Sequence, residues 1–302
     1  MKNENGSSNI LETMPVKALF VKMAVPAVLS QLINILYNLV DKMFIGHMES
    51  GGAQALAGLG VTTPVILFLS AFAALVSMGG APKIAIALGK NERELAERIM
   101  GSCMALLLVI SALLTAGMLI WGERILLMFG ASENMIGYAV DYMRIYCLGT
   151  VFIQLSLGLN TFITTQGFTK ISMMNVTIGA LINVMLDPIL IYGCGLGIRG
   201  AAIATVIAQA VSCIFIVRFL QSEKSMIKLR ILYIRMDWKL LMPCIMLGMS
   251  PALMQITENM VAISFNTVLQ RYGGDLAVAS MSILNSVMQF VMLLLPGLVQ
   301  GA

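Results

Sequence analysis

The sequence predicts an all-α polytopic membrane protein, with eight transmembrane helices of an expected twelve in two six-helix bundles, the second incomplete. Three observations lead there: the composition, the length of the apolar runs and the placement of positive charge. Of 302 residues, 59% are hydrophobic and 11% charged, against about 25% charged in soluble domains. Such a chain cannot coat a water-facing surface but suits a lipid-facing one. Aromatic residues make up 7% while there are 25 Met, so the apolar mass is aliphatic and flexible.

A helix needs about 20 mostly apolar residues to cross a bilayer. Runs of that kind occupy 19–45, 53–76, 96–121, 135–163, 172–193, 201–221, 240–269 and 276–301, the second running on as helix through 84–88. Pro26, Pro64 and Pro251 fall inside runs, where neighbouring helices can satisfy the backbone groups that Pro frees. Loops and run ends on the N-terminal side carry fourteen Lys and Arg against four on the opposite side, with Arg144 left deep inside a run. Positive charge stays in the cytoplasm, so the N-terminus is expected there. The first apolar run is too long for the core of a cleavable signal peptide.

Shifting the sequence by 222 places superposes Lys17 on Lys239, Gly51-Gly52 on Gly273-Gly274, Ala55 and Ala57 on Ala277 and Ala279, and Phe68 on Phe290. The first unit holds six helices, so both units start on the same side, as in a parallel repeat about an axis along the membrane normal. The expected organisation is a cytoplasmic tail over 1–18, a six-helix bundle over 19–221, a basic cytoplasmic linker over 222–239, and the first two helices of a second bundle over 240–302. The apolar end at Gly301-Ala302 predicts a truncated second bundle.

The chemistry-bearing residues are few. Five Cys sit in or beside apolar runs at unrelated spacings, which reads as packing. Gly195, Gly197 and Gly200 spell G-x-G-x-x-G without a preceding strand, so they mark a helix–helix turn and not a nucleotide loop. No nucleophile–base set or zinc spacing occurs, and no enzymatic activity or nucleic-acid partner is expected. Among the carboxylates that fall in runs, Asp41, Asp187 and Glu258 are the candidates. A charge at that depth costs roughly 2.5–3.5 kcal/mol on insertion scales, and so points to a site or a pathway.

Gln31, Asn34, Asn38 and Asp41 share one face of the first helix. Asp187 follows Asn183 by four residues, which stacks the two on one face, and Pro188 frees a backbone carbonyl beside them. An Asp, an Asn carbonyl and a backbone carbonyl suit a hard cation such as Na+, and a protonated carboxyl would satisfy the same neighbours. Glu258 lies beside Gln255 and Asn259 without a counterpart in the first repeat.

Three segments carry a family resemblance. The first helix reads Leu36-Tyr37-Asn38-Leu39-Val40-Asp41-Lys42, the fifth ends Leu186-Asp187-Pro188, and the next turn reads Gly197-Ile198-Arg199-Gly200-Ala201-Ala202. In that order and at those positions they resemble the multidrug and toxic compound extrusion (MATE) family, in its prokaryotic drug-exporting branch. The resemblance implies two six-helix bundles and a coupling-ion pocket, for Na+ or H+, at Asp41, Asn183, Asp187 and Thr205. It implies Tyr142 and Asn160, with Asn38, as hydrogen-bonding neighbours, and a second-bundle cation site at Glu258 and Gln255. Many members carry Arg before the Gly of the fourth turn, where this chain has Thr164-Thr165-Gln166-Gly167.

The expected function is a secondary multidrug or organic-cation efflux antiporter of the inner membrane. It would work as a monomer by alternating access, with lipophilic cations as substrates, Na+ or H+ as coupling ion, and no other cofactor. The alternative is a lipid-linked oligosaccharide flippase of the same wider fold group. That reading wants a cationic cleft, whereas Arg144 is the one base in the runs away from their ends, and the runs also hold Asp41, Asp187 and Glu258.

Overall fold

The computed structural model describes residues 16–48, 51–129, 131 and 135–292, and every regular element among them is helical. The chain runs α1 (Val16–Gly46), α2 (Gly52–Gly89), α3 (Arg93–Met128), α4 (Ile136–Leu148), α5 (Thr150–Thr165) and α6 (Thr169–Pro188). A π-helical turn (Ile189–Gly193) leads to α7 (Ile198–Gln221), and a short 3-10 turn (Ile231–Tyr233) precedes α8 (Trp238–Met292). Six helices are long and apolar enough to cross a membrane, or seven when the bent pair α4–α5 counts as one span. α2 runs on to Gly89, as its continuing periodicity predicts.

Two expectations change. The fourth run is no single straight helix: α4 and α5 meet at 60°. The break falls at Gly149, where any Cβ would collide with the Val206 side chain of α7. The carbonyl of Cys147, next to the break, accepts from Thr115 Oγ1 at 2.9 Å. A kink with a close helix approach and a hydroxyl on the neighbouring carbonyl has an identifiable cause. The seventh and eighth runs are not separated by a turn among the described residues, since α8 continues through Gly273 and Gly274. Beyond Ala252 none of its described side chains is buried. With no packing to impose a turn, local helix propagation carries the chain on. Residues 293–302, with the end of the eighth run, lie outside the described residues, as does most of the tail.

The buried apolar side chains form two clusters. One, at the end bearing the linker, gathers Met100, Leu107, Phe162, Ile216 and Leu220 with Ile227 and Leu229 of the linker itself. The other, at the far end, gathers Ile45, Leu126, Met143, Ile191 and Ile198. Leu241 and Cys244 place the start of α8 in the first cluster. There α2 and α8 touch backbone to backbone, because a Cβ on Gly79 would strike the Cys244 carbonyl and one on Gly248 the Leu75 carbonyl. Small residues that admit such contact are how helices gain dispersion energy in lipid.

The linker is fastened down. The side-chain oxygen of the buried Gln166 accepts from Ser225 Oγ at 2.9 Å, Met226 N at 2.9 Å and Ile227 N at 3.3 Å. Glu97 accepts from Lys228 N at 3.0 Å and pairs with Arg230 at 2.9 Å. The guanidinium groups of Arg98 and Arg230 both lie over the Tyr233 ring, at 5.6 and 5.9 Å from its centroid. Gln166 is thus a capture point for linker amides at the turn where the sequence departs from the family pattern. Gln166→Leu removes that acceptor at a cost of about 1–3 kcal/mol. Tryptic cleavage at Lys224 in the folded protein should then quicken roughly tenfold or more. An unchanged cleavage rate would show that the linker does not depend on this capture.

Candidate functional site

The site forms because α1 lies along α6 and both end on the same side of the bundle. Asp41 sits five residues before the end of α1, and Asp187 is the penultimate residue of α6. Their carboxyls face one another, with Asp187 0% and Asp41 7% exposed. The π-helical turn holds this arrangement. Tyr192 donates its hydroxyl to the Phe44 carbonyl at 2.6 Å and packs edge-on against the Phe44 ring. That bond ties the end of α6 to the end of α1.

The start of α7 completes the cluster. Gly195 and Gly197 both have positive φ, at 65° and 56°, and a Cβ on Gly200 would strike the Leu190 carbonyl. The three glycines of the G-x-G-x-x-G pattern therefore serve a tight turn that seats α7 on the π-helical segment. Five residues after Gly200, Thr205 meets Asn183.

Asn183 Nδ2 donates to Asp187 Oδ1 at 3.4 Å and to Thr205 Oγ1 at 3.5 Å, while the Thr205 hydroxyl donates to the Ala201 carbonyl at 3.0 Å. The Tyr142 hydroxyl lies against Thr205 and close to Asp41, and its ring stacks on Tyr146. Acceptors outnumber donors. Asp41 Oδ1, Asp187 Oδ2 and Asn183 Oδ1 are all buried without a hydrogen-bond partner. Unpaired buried acceptors cost about 1–3 kcal/mol each, and more when charged. Three oxygens in this state, two from carboxylates, are the donor set that a small hard cation completes. Among the described residues no three His, Cys, Asp or Glu cluster, so the set is two carboxylates with neutral oxygens.

The structure thus gathers Asp41, Asn183, Asp187, Thr205 and Tyr142. It places the others elsewhere. Asn38 is exposed and donates to the Asn34 carbonyl at 2.7 Å. Asn160 donates to Ser172 and accepts from Asn175 nearer the linker end. Glu258 is exposed and Gln255 half-buried on α8, which packs chiefly on α2. Two members went unforeseen. Tyr37 stands near Asp41, and its spacing of four residues was the available signal. Tyr192 had no signal beyond an aromatic residue after Pro188.

This architecture defines a polytopic α-helical membrane protein with an acidic site inside its first bundle. More particularly, the chain belongs to the MatE family, whose model matches residues 26–189. It is 26% identical over 278 residues to the multidrug export protein MepA of Staphylococcus haemolyticus, covering 92% of this chain and 61% of that protein. Identity to MepA of Staphylococcus aureus is 24% over 296 residues, covering 96% and 64%. The chain therefore spans about three fifths of the length of these curated relatives. A MOP superfamily transporter from Pyrococcus furiosus shares the fold, with a TM-score of 0.89 at 22% identity over 99% of this chain and 66% of that one. An outward-facing multidrug resistance MATE family transporter superposes equally well, with a TM-score of 0.89 at 22% identity over the same shares.

Tyr192→Phe tests how α1 is seated. Loss of one bond to a backbone carbonyl should cost about 0.5–1.5 kcal/mol, seen as a lower melting temperature in detergent. An unchanged melting temperature would mean that packing alone holds α1 on α6.

Proposed function

We propose that the protein carrying this chain is a secondary multidrug efflux antiporter that couples export of lipophilic organic cations to entry of Na+ or H+. The observation that carries this is the buried pair Asp41 and Asp187, with one unpartnered oxygen on each carboxyl and a third on Asn183. Charge at that depth is retained for a pathway or a site. A single monovalent cation, as Na+ or as a bound proton, offsets the repulsion of two facing carboxylates and satisfies the oxygens. The curated relatives are named as multidrug export proteins, which supports the substrate class. So does the buried acid pair itself, because an acidic site attracts cations.

In this reading Asp41 and Asp187 bind the coupling ion, Asn183 and Thr205 supply neutral oxygens, and Tyr142 braces Thr205. Glu258 and Gln255 would belong to a cation site completed by the second bundle. Binding of the ion draws α1 and α6 together and biases one bundle against the other, the rocking expected of parallel repeats. By the distribution of Lys and Arg, the N-terminus and the linker face the cytoplasm of a cell whose membrane the protein spans as a monomer.

Dye efflux from energised cells expressing the protein tests the proposal, with membrane levels checked by immunoblot. Asp41→Asn and Asp187→Asn keep shape and remove one charge, and each should abolish efflux of a cationic dye such as ethidium. Asn183→Ala and Thr205→Ala should weaken it less, since each removes a neutral ligand. Normal efflux by Asp41→Asn would overturn the coupling role. Export of an anionic dye of similar size, without the cationic one, would overturn the substrate class.

A further inference from the structure

Among the helices of the first bundle, α6 stands apart. Neither apolar cluster takes a buried residue from it. Besides Thr169 and Ala180, its buried residues are Ser172, Asn175, Gly179, Asn183 and Asp187. Spacings of three and four keep these on one face. At 1.5 Å per residue they extend about 22 Å along the axis, most of the roughly 30 Å hydrocarbon core of a bilayer. Neighbouring helices add polar groups level by level. Thr205 stands beside Asn183. Ser212 lies against Gly179, where a Cβ would come within 2.6 Å of its Oγ. Asn160 donates to Ser172 Oγ at 2.8 Å and accepts from Asn175 Nδ2 at 3.4 Å.

The decisive group is Asn175. Its side chain is 2% exposed and its Oδ1 has no hydrogen-bond partner. An amide oxygen left unpaired in an apolar bundle costs free energy that a bound water or cation recovers. This oxygen lies about 12 Å, a little over two turns, from the Asn183 level of the acid pair.

We propose that this seam is a second station and path for a small monovalent cation, Na+ or a hydrated proton, joining the acid pair to the linker end of the bundle. The proposal rests on the reading of the acid pair as a cation site. Asn175, Asn160 and Ser172 form the inner station and Ser212 the step between. Successive levels are roughly 6 Å apart, the reach of two hydrogen bonds of about 2.8 Å through one water. Neutral amide and hydroxyl oxygens hold a cation less tightly than two carboxylates do. A station of that kind lets go of what the acid pair captures, as conduction requires. Gly179 keeps the step open, because a larger side chain would fill the space against Ser212.

The test uses the protein reconstituted in liposomes, with dye transport driven separately by a Na+ gradient and by a pH gradient. Labelling of Asp41 and Asp187 by a hydrophobic carbodiimide, which reacts with protonated buried carboxyls, reports on the acid pair independently. Asn175→Leu and Gly179→Val should each lower transport about tenfold or more under whichever gradient drives the unmodified protein, with labelling retained. Asn175→Ser, which leaves an oxygen and room for water, should restore most of the rate. Full transport by Asn175→Leu would overturn the proposal. Loss of labelling together with transport would also overturn it, since the seam would then only hold the acid pair in place. Absence of labelling at Asp41 and Asp187 in the unmodified protein would instead remove the cation site, and the seam's role with it.

Discussion

Everything in the first bundle is arranged around two carboxylates that face each other away from water, at the junction of α1 and α6. Desolvating one ionised carboxyl costs several kcal/mol, and a second beside it adds repulsion in a medium that screens poorly. The fold supplies little relief, since the donor given to the pair is Asn183, over a long bond of 3.4 Å. What it supplies is rigidity. The Tyr192 bond to Phe44, the glycine turn before α7 and the Gly200 contact fix the backbone on three sides of the acids. A rigid site with unpaired acceptor oxygens can answer a cation, whereas a loose one would collapse onto its own neighbours.

The opposite end of the bundle is built on another principle. There the polar linker is absorbed: Gln166 and Glu97 take up its amides, and Ile227 and Leu229 are buried with the helices. The first turns of α8 join the same cluster through Leu241, Cys244 and the Gly79–Gly248 contact. An apolar, close-packed linker end and an acidic, donor-poor far end are joined by α6, which gives neither cluster a buried residue. Between the two ends the buried face of α6 is mostly polar, from Ser172 to Asp187.

The helical class and seven of the spans were legible in the sequence because lipid leaves a simple mark: long runs without charge. The acids were legible for the same reason, since Asp41 and Asp187 stand out against their runs. Their convergence was not, because it depends on the packing of α1 along α6, and only the family resemblance pointed to it. The bend at Gly149 was hidden, since an apolar run reads alike whether straight or bent, and the collision that enforces it involves Val206, far along the chain. The role of Gln166 was also hidden. A polar residue at a turn reads as solvated, and only the fold shows three donors from the linker converging on it. Asn160 was assigned to the acid pocket by resemblance, and in this structure its partners are Ser172 and Asn175.

The most direct test of the account is whether Asp41 and Asp187 act on each other. A double-mutant cycle of Asp41→Asn and Asp187→Asn, read as thermal stability of the purified protein, measures that interaction alone. If the two carboxyls form one site, either replacement relieves much of the same repulsion, and the double variant should depart from additivity by about 0.5–3 kcal/mol. Stabilities that add to within roughly 0.3 kcal/mol would mean that the two acids are independent, and the paired site would be contradicted.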